Sequence, residues 1–381
     1  MLQNRLAMLA ADLLKEGRTI FNLSDSNPTI HGLLPKGADK IFSGLNASFY
    51  NPDPKGLYSA RVALAKAYGH SPDDYFFCAS TSEAYSWLFK LLCDPGDSIL
   101  VPRPGYPLFD NLASIESVQA LPYSLEYRHP EGWAMDMDDL CSKAKQKGVK
   151  ALVAINPNNP TGSYINKNEK TGILELCAKY GIALIADEVF FPFALEKEGA
   201  KFRMDGGEHC LCFSLDGLSK QLGLPQAKLG WMRVSGPGKK EAMERLELIA
   251  DTFLSVSALP MLALPGLLTL KDAYISNLME RTQHNLKTAR LVFETAGSPY
   301  RILRCDGGWT ALLEFPKYKS EEETVLSLLK EEFISIQPGY FFDMERDGYL
   351  ALSLILKPDE FLHGIHRLKK HIDSFGQCID P

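Results

Sequence analysis

The sequence predicts an α/β protein: a large, mainly parallel sheet of seven-stranded type with helices on both faces, and a smaller α+β unit. Three observations carry this expectation. Strand-like and helix-like runs alternate from Tyr75 to Val234, as parallel strands joined by crossover helices require. Two of those runs, Ala151–Ile155 and Ile182–Ala186, are apolar throughout, as strands buried on both faces must be. The C-terminal third has a different texture. A long helical run (Asp272–Glu294) leads to strands at Trp309–Phe315, Phe333–Gln337 and Tyr349–Leu356, with helices at Glu321–Glu331 and Asp359–His371. A chain of 381 residues can bury two cores. The expected division is a large domain at 48–265 and a small one made of 1–47 plus 266–381.

Composition narrows the function classes. A hydrophobic content of 45% with 23% charged residues is that of an ordinary globular chain. The net charge of −6 argues against nucleic acid or an anionic membrane as partner. The eight cysteines contain no CxxC pair, and Cys210 and Cys212 alternate with apolar residues as buried thiols do. Reduced thiols and a cytoplasmic location are expected, with no metal site. Met1–Gly17 reads as an amphipathic helix (Leu2, Leu6, Leu9, Leu13). Charges inside it make it unlike a signal peptide. No stretch has the apolar length of a membrane span.

Taken in order, the elements carry chemistry at their ends. Phe21–Pro28 is an extended segment ending in turn residues, and reads first as a linker. The loop Tyr50–Gly56 leads into a helix, Leu57–Tyr68, that carries Arg61. A short strand, Asp74–Cys78, precedes Ser80-Thr81-Ser82, which open a helical run to Leu92. Hydroxyl residues there act as N-caps, and they also offer donors to a phosphate. The strand Asp97–Val101 runs into Pro102-Arg103-Pro104-Gly105-Tyr106-Pro107, a stiff loop presenting an aromatic face. The strand at 151–155 ends in Asn156-Pro157-Asn158-Asn159-Pro160-Thr161-Gly162, where X-Pro bonds have access to the cis form. A helix, Asn168–Tyr180, follows.

The next strand ends in Asp187-Glu188, where α/β proteins place ligands. Cys210–Phe213 then leads into Ser214-Leu215-Asp216-Gly217-Leu218-Ser219-Lys220. A lysine amine held rigidly at a sheet edge and kept neutral condenses with a carbonyl to a Schiff base. A strand, Leu229–Val234, and a helix, Lys239–Thr252, complete the large unit.

In this order the blocks resemble one family, the class I/II aminotransferases of the pyridoxal-phosphate enzymes (aspartate-aminotransferase fold, fold type I). The resemblance runs from about Asn22 to Leu354. It rests on Tyr50…Gly56…Arg61, Ser80–Ala84, Pro104–Pro107, Asn156–Gly162, and Asp187-Glu188 followed by Ser219-Lys220…Gly230. It implies pyridoxal 5'-phosphate held on Lys220, which then serves as general acid and base. It implies that Asp187 pairs with the ring nitrogen, that Asn159 meets the ring hydroxyl oxygen and is a candidate for the substrate carboxylate, and that Tyr106 stacks on the ring. Thr81 and Ser82, with Ser80 and Ser219 beside them, would serve the phosphate. A homodimer is implied, with Tyr50 reaching the partner subunit's phosphate.

Three positions depart from the family pattern. Lys228 stands where an arginine usually grips the phosphate, keeping the charge and losing the fork. Phe190 stands where a tyrosine usually donates to the ring oxygen. Ala351 stands where an arginine usually clamps the substrate carboxylate. Either another cation replaces that arginine, with Arg304, Arg346 and Lys357 as candidates, or the substrate lacks the carboxylate.

The leading expectation is an aminotransferase moving an amino group between an amino donor and a 2-oxo acid by a ping-pong mechanism. The alternative on the same fold is a lyase or decarboxylase. A non-catalytic sensing domain of the kind attached to DNA-binding regulators fits poorly, because the chain is acidic and the fold begins almost at Met1.

Overall fold

The computed structural model describes residues 4–46, 48–196, 201–254 and 256–377. Its centre is an eight-stranded sheet. In spatial order the strands are Tyr75–Cys78, Gly230–Ser235, Cys212–Gly217, Ala183–Asp187, Val149–Ile155, Ser98–Arg103, Gln119–Arg128 and Gly132–Met135. The five from Cys212–Gly217 to Gln119–Arg128 are parallel. Gly230–Ser235 is antiparallel to both of its neighbours. Six of these strands stand where the sequence predicts them, and Gln119–Arg128 is a seventh that the sequence does not mark. The eighth, Gly132–Met135, folds back antiparallel on Gln119–Arg128.

Both faces of the parallel strands are buried, which explains their unbroken apolar sequences. Ile99, Val101, Val153 and Ile185 pack on one face with Trp87 and Leu88. Their neighbours Leu100, Leu152, Ala154 and Leu184 pack on the other with Ile173 and Cys177. The helix Thr81–Leu92 starts at Ser80, whose Oγ accepts from the Glu83 N–H at 3.1 Å. The helix Lys167–Tyr180 starts in a capping box of Asn166 and Glu169 and ends at Gly181. Among the described residues no single helix is long and apolar enough to cross a membrane.

A second, antiparallel sheet is ordered Arg301–Ile302, Thr310–Glu314, Tyr349–Ser353, Gln337–Pro338. Its core includes Val325, Leu328, Phe361 and Leu368, with Leu6 and Leu13 of the N-terminal helix Arg5–Lys15. Met1–Gln3 of the expected N-terminal helix lie outside the described residues. The run 333–337 is two short strands rather than one. Ile334–Ser335 pairs in parallel with Phe21–Asn22, and Gln337–Pro338 joins the second sheet. Phe21–Pro28 is therefore not a linker. Ser24 Oγ donates to the Ala351 carbonyl at 2.5 Å and accepts from the Gln337 N–H at 2.8 Å.

The two sheets meet closely at Gly162. A Cβ there would lie 2.7 Å from the Gly307 carbonyl oxygen and 2.8 Å from Cys305 Cβ, and its φ of 71° suits only glycine comfortably. This contact sets the Asn-Pro block against the second sheet.

Candidate active site

A cavity of about 210 Å³ opens at the carboxyl ends of Val149–Ile155 and Ala183–Asp187. On one side stand Thr81, Tyr106, Asn159, Asp187 and Lys220. On the other stand Trp309, Thr310, Gln337, Ala351 and Ser353 from the second sheet, with Ser24 and Ser26. Parallel strands end with their side chains directed to this rim, where α/β folds place ligands.

Lys220 sits in a four-residue helix, Leu218–Gln221, immediately after the strand Cys212–Gly217. The next residue anchors it. Gln221 donates to Asp216 Oδ2 and accepts from the Tyr68 hydroxyl at 2.7 Å. The Lys220 amine lies 4.9 Å from the Trp309 ring centre and 5.5 Å from that of Phe190. Burial brings its pKa down to about 8, against the pull of the Asp187 charge. An appreciable neutral fraction at ordinary pH makes it a competent nucleophile.

Asp187 is buried, and burial pushes its carboxyl up to about 6. Hydrogen bonds from the Val189 N–H (3.2 Å, to Oδ1) and the Tyr85 hydroxyl (2.9 Å, to Oδ2) oppose that rise, as does Lys220. Tyr85 itself is pushed well up, first by burial and then by Asp187, so its phenol stays the donor. Nothing in the sequence singled Tyr85 out. It looked like one more apolar position on the helix.

Glu188 faces away from this cavity. Its carboxylate takes Arg203 Nη1 at 2.7 Å and the Met204 N–H at 2.7 Å. Arg203 also lies 4.0 Å from Asp216 Oδ2. Burial pushes Asp216 up to about 7 despite that arginine. The group buttresses the strand ends from behind.

The Asn-Pro block divides its labour. Both Asn156-Pro157 and Asn159-Pro160 are cis, as is Arg103-Pro104 before Tyr106. Asn156 is fully buried. It donates to Phe202 O (2.8 Å) and Glu188 Oε1 (3.3 Å) and accepts from the Ile165 N–H (3.1 Å). Asn158 donates to the Pro104 carbonyl at 2.9 Å, tying this block to the Tyr106 loop. Asn159 makes no side-chain hydrogen bond among the described residues and lines the cavity.

Of the other candidates, Thr81 lines the cavity from the start of its helix, whose first N–H groups have no intrahelical acceptor. Tyr106 is half-buried and edge-on to Phe109 at 5.9 Å. Ser80 caps the helix, and neither Ser80, Ser82 nor Ser219 is on the cavity wall. Lys228 is exposed, in a left-handed conformation (φ 48°), also off the wall. Tyr50 is 84% exposed.

The three cations offered in place of the missing clamp are not in the cavity. Arg304 reaches Asp306 at 2.9 Å, Arg346 lines a separate cleft beside Tyr349, and Lys357 pairs with Glu360 at 3.0 Å. Ala351, by contrast, lines the cavity.

The sequence profile described as "Aminotransferase class I and II" matches residues 25–368. The chain is 26% identical to the glutamate-pyruvate aminotransferase AlaA of Haemophilus influenzae, over 97% of this chain and 94% of that protein. It is 27% identical to an alanine aminotransferase of Mycobacterium tuberculosis, over 97% and 89% respectively. Among solved structures, the alanine aminotransferase of Pyrococcus furiosus shares the fold with a TM-score of 0.85. It is 24% identical and the match covers 97% of this chain and 96% of that one. With the family profile spanning nearly the whole chain, and the lysine, aspartate and asparagine drawn into one cavity, this protein belongs to the class I and II aminotransferase family.

Proposed function

We propose that the cavity is the active site of a pyridoxal-phosphate-dependent aminotransferase in which Lys220 carries the cofactor and Asp187 faces its ring nitrogen. One observation supports this most strongly. A lysine amine with a lowered pKa and a buried carboxylate enter the same cavity from adjacent strand ends, beside a helix N-terminus.

The residues fit the cofactor. The helix beginning at Thr81 offers N–H groups and a hydroxyl to a phosphate. Asn159 has an amide with no protein partner to give to a ring oxygen, and Tyr106 has an aromatic face at the rim. When bound, pyridoxal phosphate supplies an electron sink for the pair left behind as the amine-bearing carbon loses its proton. Asp187, kept as a carboxylate by Tyr85 and the Val189 N–H, favours a protonated ring nitrogen and so strengthens that sink. Lys220 Nζ, once displaced by the substrate amine, takes the proton from that carbon and can return it elsewhere. Trp309 and Phe190 flank that amine and limit water around it.

Other parts of the reading are proposals of the same kind. A homodimer is supported by exposed apolar residues (Phe49, Tyr50, Phe253, Leu254, Leu259) in two segments whose helices, Tyr58–Tyr68 and Ala258–Leu268, pack together. In such a dimer Tyr50, which is exposed, would reach the partner subunit's phosphate. Two domains, 48–265 and 1–47 plus 266–381, are supported by the two sheets. A cytoplasmic location is supported by seven unpaired cysteines among the described residues. The relatives' names supply alanine and glutamate as the amino-acid donors to compare others against, and pyruvate as an oxo acid to try.

The test is to incubate holoenzyme with amino donors and no oxo acid. Stoichiometric conversion of the cofactor to its amine form supports the proposal. Release of carbon dioxide or a β-substituent, with the cofactor unchanged, would instead establish the lyase.

A further inference from the structure

We propose that the preferred amino donor is a primary amine whose amine-bearing carbon carries no carboxylate. The inference rests on the aminotransferase reading above and specifies the substrate class of the same site.

The cavity wall at Ala351 is neutral. Leu350 and Leu352 point into the core of the second sheet, so the alternation of the strand directs Ala351 and Ser353 to the cavity. The strand register sets Leu312 on one side of Ala351 and Gln337 on the other. Ala351 packs with Leu312 and Phe342, which makes its immediate surroundings apolar. Among the described residues only Lys220 and Asp187 bring charge to the cavity wall, and the reading above gives both to the cofactor. Arg304, Arg346 and Lys357 lie elsewhere, two of them paired with carboxylates.

An α-amino acid bound with its carboxylate toward Ala351 would find no cation among the described residues to compensate its lost hydration. An amine with hydrogen at that position would lose nothing. What the wall does offer is neutral. The Thr310 hydroxyl and the Gln337 amide make no side-chain hydrogen bond among the described residues, so both are available to a hydroxyl or amide further along the donor. Ser24 is less available, since its hydroxyl already bridges the Ala351 carbonyl and the Gln337 N–H.

In the donor half-reaction the C–N bond of R–CH2–NH2 breaks and a C=O bond forms, giving R–CHO. The cofactor's aldehyde becomes an aminomethyl group, so oxygen and nitrogen change places and two electrons pass to the cofactor. The 2-oxo acid takes those electrons and the nitrogen in the second half-reaction. Its carboxylate meets the same neutral wall, so a high KM for the oxo acid is the expected consequence.

The test compares matched donors that differ only in the carboxylate: 2-aminoethanol against serine, and propylamine against 2-aminobutyrate. Holoenzyme is mixed with each, and single-turnover loss of the bound cofactor's absorbance is followed, with the aldehyde trapped as a hydrazone. The expected result is kcat/KM at least about tenfold higher for the amine in both pairs, a difference of about 1.4 kcal/mol. A ratio below tenfold, or one favouring the amino acid, overturns the inference. If no donor reacts while borohydride still fixes the cofactor to Lys220, the substrate inference fails and the site assignment stands. If the cofactor is not fixed to Lys220, the underlying reading fails.

A variant gives an independent arm. Gln337→Arg places a cation at an exposed position opposite Ala351. It is expected to lower KM for each amino acid about tenfold or more relative to its matched amine, because it adds a charge-assisted bond that only a carboxylate uses. An equal effect on both members of a pair counts against a neutral carboxylate position.

Discussion

Tyr85 donates its phenolic hydrogen to Asp187 Oδ2 at 2.9 Å, from the first turns of the helix whose N-terminus opens on the same cavity. The bond couples two parts of the site that are 102 residues apart in the chain. It stabilises the ionised form of a carboxylate that burial pushes toward protonation. Hydrogen bonds to charged groups are worth about 1.5–3 kcal/mol, or about one to two pKa units. Tyr85→Phe should therefore raise the Asp187 pKa by about that amount. At pH 6–7 more of the carboxyl is protonated, and the acidic limb of the kcat/KM profile moves up by about one unit or more. Activity recovers toward the parent value at higher pH. A limb that stays in place would show that Tyr85 only fills space.

Lys220 must be neutral to attack a carbonyl carbon, and burial brings its pKa to about 8. In apoprotein the rate of capture of pyridoxal phosphate should rise with pH through a midpoint near 8. Below it the rate falls about tenfold per pH unit, as the neutral fraction does. Stopped-flow absorbance over pH 6–10 measures this. A midpoint above about 10, the range of an unperturbed lysine, would mean that the amine is solvated rather than enclosed.

Asn156 and Asn159 are three residues apart in one proline-rich turn, and their substitutions should separate cleanly. Asn156→Ala removes three hydrogen bonds in the core and leaves the Phe202 carbonyl and Ile165 N–H without their partner. It should destabilise the fold by about 2–4 kcal/mol, from several unsatisfied groups at about 1–3 kcal/mol each with partial relaxation. Asn159→Ala should leave stability within about 0.5 kcal/mol, since its side chain holds nothing in the fold. Its effect belongs in cofactor affinity and in the absorbance of the bound cofactor. Urea melts and cofactor titrations of the two variants check both halves.

Phe190 meets Trp309 edge-on, with ring centres 4.9 Å apart, beside the Lys220 amine. A hydroxyl at its ring tip is what the family pattern would supply. Phe190→Tyr should lower the spectroscopic pKa of the bound cofactor by about one to two units, the worth of a donor to an ionised oxygen. A pH titration of the cofactor's visible absorbance reads this directly. An unchanged midpoint would place position 190 out of reach of the ring oxygen.

The parallel sheet was readable because strands buried on both faces leave continuous apolar runs, as at 151–155 and 182–186. Lys220, Asp187, Asn159, Tyr106 and Thr81 stood out as positions at strand ends or helix starts, and their roles were readable only through the ordered blocks that resemble the aminotransferase family. Trp309, Gln337 and Ser24 were not. They reach the cavity from the second sheet and from Phe21–Pro28, through pairings 300 residues or so apart that leave no local pattern. Tyr85 was hidden for another reason: on an apolar helix face, a tyrosine and a leucine obey the same periodicity, and only the packed structure shows where the hydroxyl ends. The split between Asp187 and Glu188 was equally silent, since adjacent strand residues face opposite sides but neither face was labelled in advance.

The central claim is that Lys220 carries the cofactor. Holoenzyme reduced with borohydride, digested and examined by mass spectrometry tests it most directly, with Lys220→Ala treated in parallel. The expected result is a reduced pyridoxyl phosphate adduct on the peptide containing Lys220, in near-stoichiometric yield, and none in the folded variant. An adduct on Lys228 or another lysine, with Lys220 unmodified, would contradict it.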